Sequence, residues 1–229
     1  MFTINTAKEI INKPMTLAKA SVIAGLGLLT MVLTVPVAEF YIFPKLIGET
    51  SRETTINILN NRTLFVTIIL LHFITLLCDV IVAWALYIFL KPINAQFSLL
   101  TAWFRLIYTA MYLIALVNLI KILTLIKFEN QSGLNNSIEF YINSFQMEWK
   151  FGLLLFGIYL LLLGYLVCKA VYIPKIFGIL LLLAGIGYVI NTLCIFLFPS
   201  VNTEFLMITF FGEIIFMLWL LIKGSRLNN

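Results

Sequence analysis

The chain has 229 residues, of which 62% are hydrophobic and 11% are charged. Soluble domains contain about 45–50% apolar and about 25% charged residues, so this composition excludes a soluble globular protein. Six runs are apolar and approach or exceed the roughly 20 residues that a helix needs to cross a bilayer. They lie at residues 17–41, 64–90, 99–122, 151–171, 176–198 and 205–222. The sequence predicts an all-α, polytopic integral membrane bundle with six transmembrane helices, in a single domain covering residues 1–229.

The two longer connections between the runs are each predicted to contain a short helix, at residues 51–61 and 137–149. In the second segment, Ile138, Ile142 and Phe145 recur at the spacing that places them on one face of a helix. We interpret this segment as a helix lying in the membrane interface, with its aromatic groups at the depth of the lipid headgroups. A lid over an outward-facing cavity is the alternative interpretation.

The net charge of +5 is explained by membrane topology. With six spans, both termini lie on one side, which collects eight lysine and arginine residues against six on the other. The richer side also has the shorter connections, to which the positive-inside rule applies. We therefore expect a bacterial cytoplasmic (inner) membrane protein with both termini in the cytoplasm, membrane lipids as partners and no nucleic-acid partner. The first run exceeds a signal-peptide core of about 7–15 residues, and we expect it to be the first span.

Three charged residues, Asp79, Arg105 and Glu213, lie deep inside these runs, away from their ends. At about 1.5 Å per residue, they lie roughly 18, 10 and 15 Å from the cytoplasmic ends of their spans. A charge facing lipid costs about 2.5–3.5 kcal/mol, so we expect all three in the bundle interior, with Arg105 paired to Asp79, to Glu213 or to both. Two carboxylates and one guanidinium leave a net charge of −1. We hypothesise that one carboxylate holds a proton, or that a bound cation or cationic ligand group balances the charge.

Polar side chains accompany these charges on the same helix faces. His72 shares the face of Asp79, and Tyr108 and Tyr112 share that of Arg105. The candidate ligand- or ion-binding residues are therefore Asp79, Arg105, Glu213, His72, Tyr108 and Tyr112.

Two further features are interpreted as structural. His72 is the single histidine of the chain and lies about 10 Å along its helix from Asp79, too far for the two to bind one metal ion. We interpret it as a core histidine with satisfied hydrogen bonds, and we predict neither a metal site nor a cofactor. Pro36 and Glu39, at the outer end of the first span, are interpreted as a kink and an interface group.

Four segments carry a family resemblance: CDVIVAWALYIFLKPIN, WFRLIY, GYLVCKAVYIPKIFGILLLLAGIGYVI and GEIIFMLWLLIKGSR. Over residues 17–226, the chain resembles the bacterial multi-pass membrane family catalogued as domain of unknown function 4386 (DUF4386). The resemblance implies six helices, with an acid in the second span, an arginine early in the third and a glutamate in the last, at Asp79, Arg105 and Glu213. Members often carry an acid late in the fifth span, where this chain has Asn191. The family has no established activity, so the resemblance implies no reaction.

The leading hypothesis is a membrane protein that binds a small polar or amphipathic ligand, or an ion, at the buried Asp-Arg-Glu cluster, with proton-coupled transport as one form of this function. A transporter of this size would be expected to form a homodimer. One alternative is a membrane-embedded enzyme acting on a lipophilic substrate, with Asp79 or Glu213 as general acid/base and His72 assisting; the non-enzymatic function is favoured. The other is an accessory protein whose charge cluster only fixes helix packing.

Three observations would separate these hypotheses. A cavity reaching Asp79 would favour ligand binding or transport. Convergence of His72 with both acids would favour an enzyme. A dry and fully paired cluster would favour an architectural role.

Overall fold

A computed structural model describes residues 15–127, 133–198, 200–201 and 203–227. The described part of the chain is helical and contains no β-strand. Its α-helices are α1 (Leu17–Pro36), α2 (Ser51–Asn60), α3 (Arg62–Leu90), α4 (Ala95–Leu125), α5 (Leu134–Lys169), α6 (Lys175–Leu197) and α7 (Phe211–Ile222). Shorter helical turns are a π-helix at Val37–Ile42 and 3₁₀ helices at Phe43–Lys45, Glu204–Phe210 and Gly224–Arg226.

Six helices of the described chain are long and apolar enough to cross a membrane. They are Leu17–Lys45, Arg62–Leu90, Ala95–Leu125, Leu134–Lys169, Lys175–Leu197 and Ile208–Arg226. The prediction of an all-α protein with six spans is thereby confirmed. Several spans are longer than the apolar runs, because polar residues at their ends continue the helix beyond the hydrophobic segment.

The helix predicted at residues 137–149 is not a separate element. It forms the first part of α5, which continues without a break to Lys169. The whole helix Leu134–Lys169 contains no proline, and its glycines are isolated ones that a helix tolerates. Ile138, Ile142 and Phe145 are buried within the protein, so this apolar face packs on neighbouring helices. An apolar helix face has the same periodicity whether it packs on lipid or on a neighbouring helix.

The spanning helices pack side by side in chain order, and the last closes on the first. Helix α1 packs against α3, and each later span packs against the next, until α7 contacts both α6 and α1. The six helices thus enclose a common interior. Helix α2 packs on α5 and α3 at one end of this ring, which we call the α2 end; the described chain termini lie at the opposite end.

Glycines allow the closest helix contact, between α5 and α6. A Cβ atom added at Gly164 would lie 2.8 Å from the carbonyl oxygen of Gly178, and one added at Gly185 would lie 2.8 Å from that of Gly157. These positions form two glycine pairs along the two helices. Small residues let helix backbones approach closely in a membrane, where van der Waals packing drives their association.

Candidate functional site

The centre of the ring holds a buried ion pair between α3 and α4. The Nη2 atom of Arg105 lies 2.6 Å from Oδ1 of Asp79, and the two side chains are 1% and 0% exposed. The tight turn between α3 and α4 makes the helices antiparallel neighbours, so residues at similar depth on the two helices face each other. Arg105 thus pairs with Asp79, one of the two partners expected from their depths.

Other helices complete the surroundings of Arg105. Its Nη1 atom donates a hydrogen bond of 2.6 Å to the hydroxyl of Tyr159 in α5, and its Nη2 atom lies 3.5 Å from the sulfur of Met31 in α1. The guanidinium also lies 4.9 Å from the Tyr159 ring centroid and 5.7 Å from that of Phe156. Sequence reasoning missed Tyr159; the one available signal was a hydroxyl in the middle of an apolar run.

Glu213 lies in the first turn of α7, where the charges of Arg105 and Asp79 both act on its carboxyl group. Within the described residues the close contacts between acidic and basic side chains are Asp79–Arg105 and, where the imidazole is protonated, Glu39–His72. Glu213 makes no such salt bridge. The residue is partly exposed, but its Oε1 atom is buried and has no hydrogen-bond partner among the described residues. The Tyr188 hydroxyl of α6 interacts with its carboxyl group. Tyr188 was also missed by sequence reasoning.

His72 lies in a second polar cluster, nearer the α2 end. Its ring is fully buried, with Nδ1 2.5 Å from the Tyr112 hydroxyl and Nε2 3.0 Å from Oε1 of Glu39. The structure therefore places His72 with Tyr112 and Glu39, and it does not bring His72 together with Asp79 or Glu213. Within the described residues, Nδ1 of the imidazole has a hydrogen-bond partner, whereas Nε2 has only its contact with Glu39.

Glu39 differs from the interpretation as an interface group, because it contacts His72 in the interior. It follows Pro36, which ends α1, and lies in the π-helix Val37–Ile42. Proline has no backbone N–H to continue the hydrogen-bond ladder, and a π-helical turn contains more residues than an α-helical one. The side-chain direction of Glu39 therefore cannot be extrapolated from the α-helical register of residues 17–36.

Aromatic rings connect the two clusters. Trp149 of α5 stacks on Tyr112, with ring centroids 5.4 Å apart and an interplanar angle of 13°, and its indole N–H donates a 3.3 Å hydrogen bond to the Tyr108 hydroxyl. Tyr108 in turn packs on Phe156, at 4.8 Å between centroids. Tyr108 thus lies between the His72 cluster and Arg105, and the aromatic packing leaves the two clusters distinct.

A narrow cleft lies beside Tyr159, a side chain that contacts Arg105. This cleft of about 180 Å³ between α3 and α4 is too narrow for a water molecule. A second pocket lies beside the α5–α6 connection. Neither pocket is lined by Asp79, Arg105 or Glu213.

These features define a polytopic helical membrane protein with a charged interior. Its family follows from comparison: the chain belongs to the family described as Domain of unknown function (DUF4386), whose family model matches residues 23–224. The resemblance inferred from the motifs is therefore confirmed. The chain is also 36% identical to an uncharacterised protein of Archaeoglobus fulgidus over 157 residues, which are 69% of this chain and 83% of that protein. No solved structure matches the chain.

Proposed function

We propose that the protein binds a small cation, or a ligand with a cationic group, at Glu213 within the cluster of Asp79, Arg105 and Glu213. The observation that carries this proposal is the unequal pairing of the two acids. Arg105 is engaged by Asp79 and Tyr159, whereas Glu213 has a buried oxygen without a hydrogen-bond partner and makes no salt bridge among the described residues.

The physical reason is the free energy of a buried charge. An ionised carboxylate taken from water into a low-dielectric interior is strongly destabilised unless a cation or a proton neutralises it. The oxygen atoms free to contact a cation are Oε1 of Glu213 and Oδ2 of Asp79, neither of which has a hydrogen-bond partner in the described chain. Carboxylate oxygens are the ligands that hard cations prefer.

The test compares the wild-type chain with Glu213→Gln, a neutral side chain of the same shape. Native mass spectrometry of protein extracted gently from its membrane should show a retained mass beyond bulk lipid in the wild type and not in Glu213→Gln. Glu49→Gln is the matched control, since it makes the same change at an exposed position near the α2 end. A clean mass for all three proteins would contradict the proposal, as would a bound species that Glu213→Gln retains.

A second candidate, an architectural role, is favoured by the ion pair itself. Asp79 and Arg105 are fully buried, are packed by side chains from α1 and α5, and line neither described pocket. On this hypothesis the cluster only fixes how α3, α4 and α5 pack. Substitutions at Asp79 and Glu213 would then lower thermal stability without releasing any bound species.

We further propose that the protein lies in a cytoplasmic membrane with both termini in the cytoplasm. The support is the excess of lysine and arginine on the side of the termini, which also has the shorter connections. A chain with one engineered cysteine, at Glu49 or at Ser225, tests this in intact cells after the native cysteines are replaced by serine. An impermeant maleimide should label Glu49→Cys and leave Ser225→Cys unlabelled; the reverse pattern would invert the topology.

A further inference from the structure

The cluster of Glu39, His72 and Tyr112 has no part in the function proposed above. It joins three helical segments: the π-helical end of the first span, α3 and α4. We propose that Glu39, His72 and Tyr112 form a proton-binding site that opens toward the α2 end, in which the His72 imidazole takes up a proton from water by way of Glu39.

The contacts of the imidazole suit both of its protonation states. In the neutral ring, Nε2 carries the proton and lies 3.0 Å from Oε1 of Glu39, and Nδ1 accepts a hydrogen bond from the Tyr112 hydroxyl across 2.5 Å. After uptake of one proton both ring nitrogens are donors: Nε2–H still faces the Glu39 carboxylate, and Nδ1–H donates to the Tyr112 oxygen. Only the Tyr112 hydroxyl hydrogen has to turn. One proton is gained, and no other bond forms or breaks.

The three side chains differ in burial, and the difference indicates the end of the protein from which a proton would enter. His72 is 0% exposed, whereas the Glu39 side chain is 15% exposed, so Glu39 is the least buried member of the site and the one through which we route the proton. Glu39 lies at the α2 end of its span. The rings of Phe145 and Trp149 pack on the imidazole, with centroids 5.2 and 5.9 Å away.

The charges around His72 come from few groups. Glu39 faces the ring from the first span, and Tyr112 faces it from α4. Helix α5 contributes the uncharged rings of Phe145 and Trp149, the latter hydrogen-bonded to Tyr108. On α3 itself the nearest charged group is Asp79, two turns away and paired with Arg105. Glu39 is therefore the counter-ion available to a protonated His72.

Trp149 provides a direct readout, because an imidazolium quenches indole fluorescence more strongly than a neutral imidazole does. The reporter protein keeps Trp149 and carries phenylalanine at the other three tryptophans, Trp84, Trp103 and Trp219. Its emission is titrated between about pH 5 and 8, the range in which histidine ordinarily changes charge. We expect a reversible loss of Trp149 emission on acidification, which His72→Gln abolishes.

Glu39→Gln tests the role of the carboxylate. Without its negative charge, the imidazolium loses its counter-ion, and the transition should move to lower pH by about one unit or more. The matched variants Glu49→Gln and Glu213→Gln should leave the transition in place, so that this proposal and the one on Glu213 fail or succeed separately. In oriented proteoliposomes, acid on the α2 side alone should produce the quenching.

Three results would overturn the proposal: no transition in the reporter protein, a transition that survives His72→Gln, or one that Glu39→Gln does not move. If the reporter protein does not fold, the wild type and its Trp149→Phe variant give the same information. The difference between their emissions isolates Trp149 in an otherwise native chain. His72→Asn then serves as a second variant at the histidine.

Discussion

The two sides of the helix ring handle a buried charge in different ways. On the α3–α4–α5 side, Asp79 is neutralised by Arg105, and Arg105 is held in turn by Tyr159. On the α6–α7 side, the Glu213 carboxyl group interacts with the Tyr188 hydroxyl and makes no salt bridge among the described residues. In the first arrangement the two charges neutralise each other within the chain. In the second, a proton or a cation from outside the chain has to neutralise the carboxylate, and this distinguishes the ion pair from the proposed binding group.

The two sides also differ in how deeply their helices are packed. In the most apolar part of each span, 50% of the residues of α5 are buried inside the protein, compared with 28% of those of the span that contains α7. Helix α7 approaches α6 through Gly212, where an added Cβ atom would lie 2.8 Å from the Leu180 carbonyl oxygen. The α7 side thus depends on close backbone approach, whereas the α3–α4–α5 side depends on an ion pair.

The largest expected effect is that of Asp79→Asn on the α3–α4–α5 side. The substitution preserves the shape of the side chain but leaves the Arg105 charge buried without a counter-ion. Removing one partner of a buried pair typically lowers the free energy of unfolding by about 3–5 kcal/mol. Thermal or denaturant unfolding in detergent micelles measures this loss.

Two further proteins sharpen that measurement. The double variant Asp79→Asn with Arg105→Gln removes both charges and should recover part of the lost stability. Glu213→Gln should lower the free energy of unfolding less than Asp79→Asn does, because Glu213 makes no salt bridge among the described residues. Equal losses for Asp79→Asn and Glu213→Gln would show that the two sides do not differ as the structure indicates.

A smaller effect is expected from Gly212→Ala on the α7 side. The new methyl group would collide with the Leu180 carbonyl group, so α7 would have to move away from α6. Overpacking of this kind costs typically about 1–3 kcal/mol. The matched control is Gly152→Ala in α5, where the nearest atom to an added Cβ is Cδ2 of Tyr108 at 3.5 Å, an ordinary contact. Equal unfolding temperatures for the two variants would contradict this account.

The six helices were predictable because an apolar run of sufficient length is a local property of the sequence. The burial of Asp79 and Arg105 was predictable for a similar reason, since a charge within such a run must avoid lipid. Depth along each span, counted in residues, also limited the partners of Arg105 to Asp79 and Glu213. Choosing between these two required knowledge of which helices are neighbours.

The remaining contacts depend on helix order and rotation, which hydropathy does not encode. Tyr159 and Tyr188 lie in apolar runs, and only the ring arrangement shows that they face the charged interior. Glu39 reaches His72 through a π-helical turn after Pro36, where α-helical periodicity no longer predicts side-chain direction. The continuity of residues 137–149 with α5 was not predicted, because an apolar helix face fits lipid and protein equally well.

The smallest expected effect concerns Tyr172, in the connection between α5 and α6 and outside the spans. Its hydroxyl donates a 2.5 Å hydrogen bond to the Phe89 carbonyl oxygen near the end of α3, so it ties the α5–α6 connection to the α3–α4–α5 side. Tyr172→Phe should lower the free energy of unfolding by about 0.5–1.5 kcal/mol, the usual net value of one hydrogen bond.

Burial raises the pKa of Tyr172 to about 12, above the value of about 10 for an unfolded tyrosine. The neutral hydroxyl is therefore favoured in the folded protein. The stability difference between wild type and Tyr172→Phe should be complete below about pH 10 and decline as the pH rises toward 12. Unfolding curves of both proteins at neutral and alkaline pH measure this difference, and a gap that widened with pH would contradict the assignment.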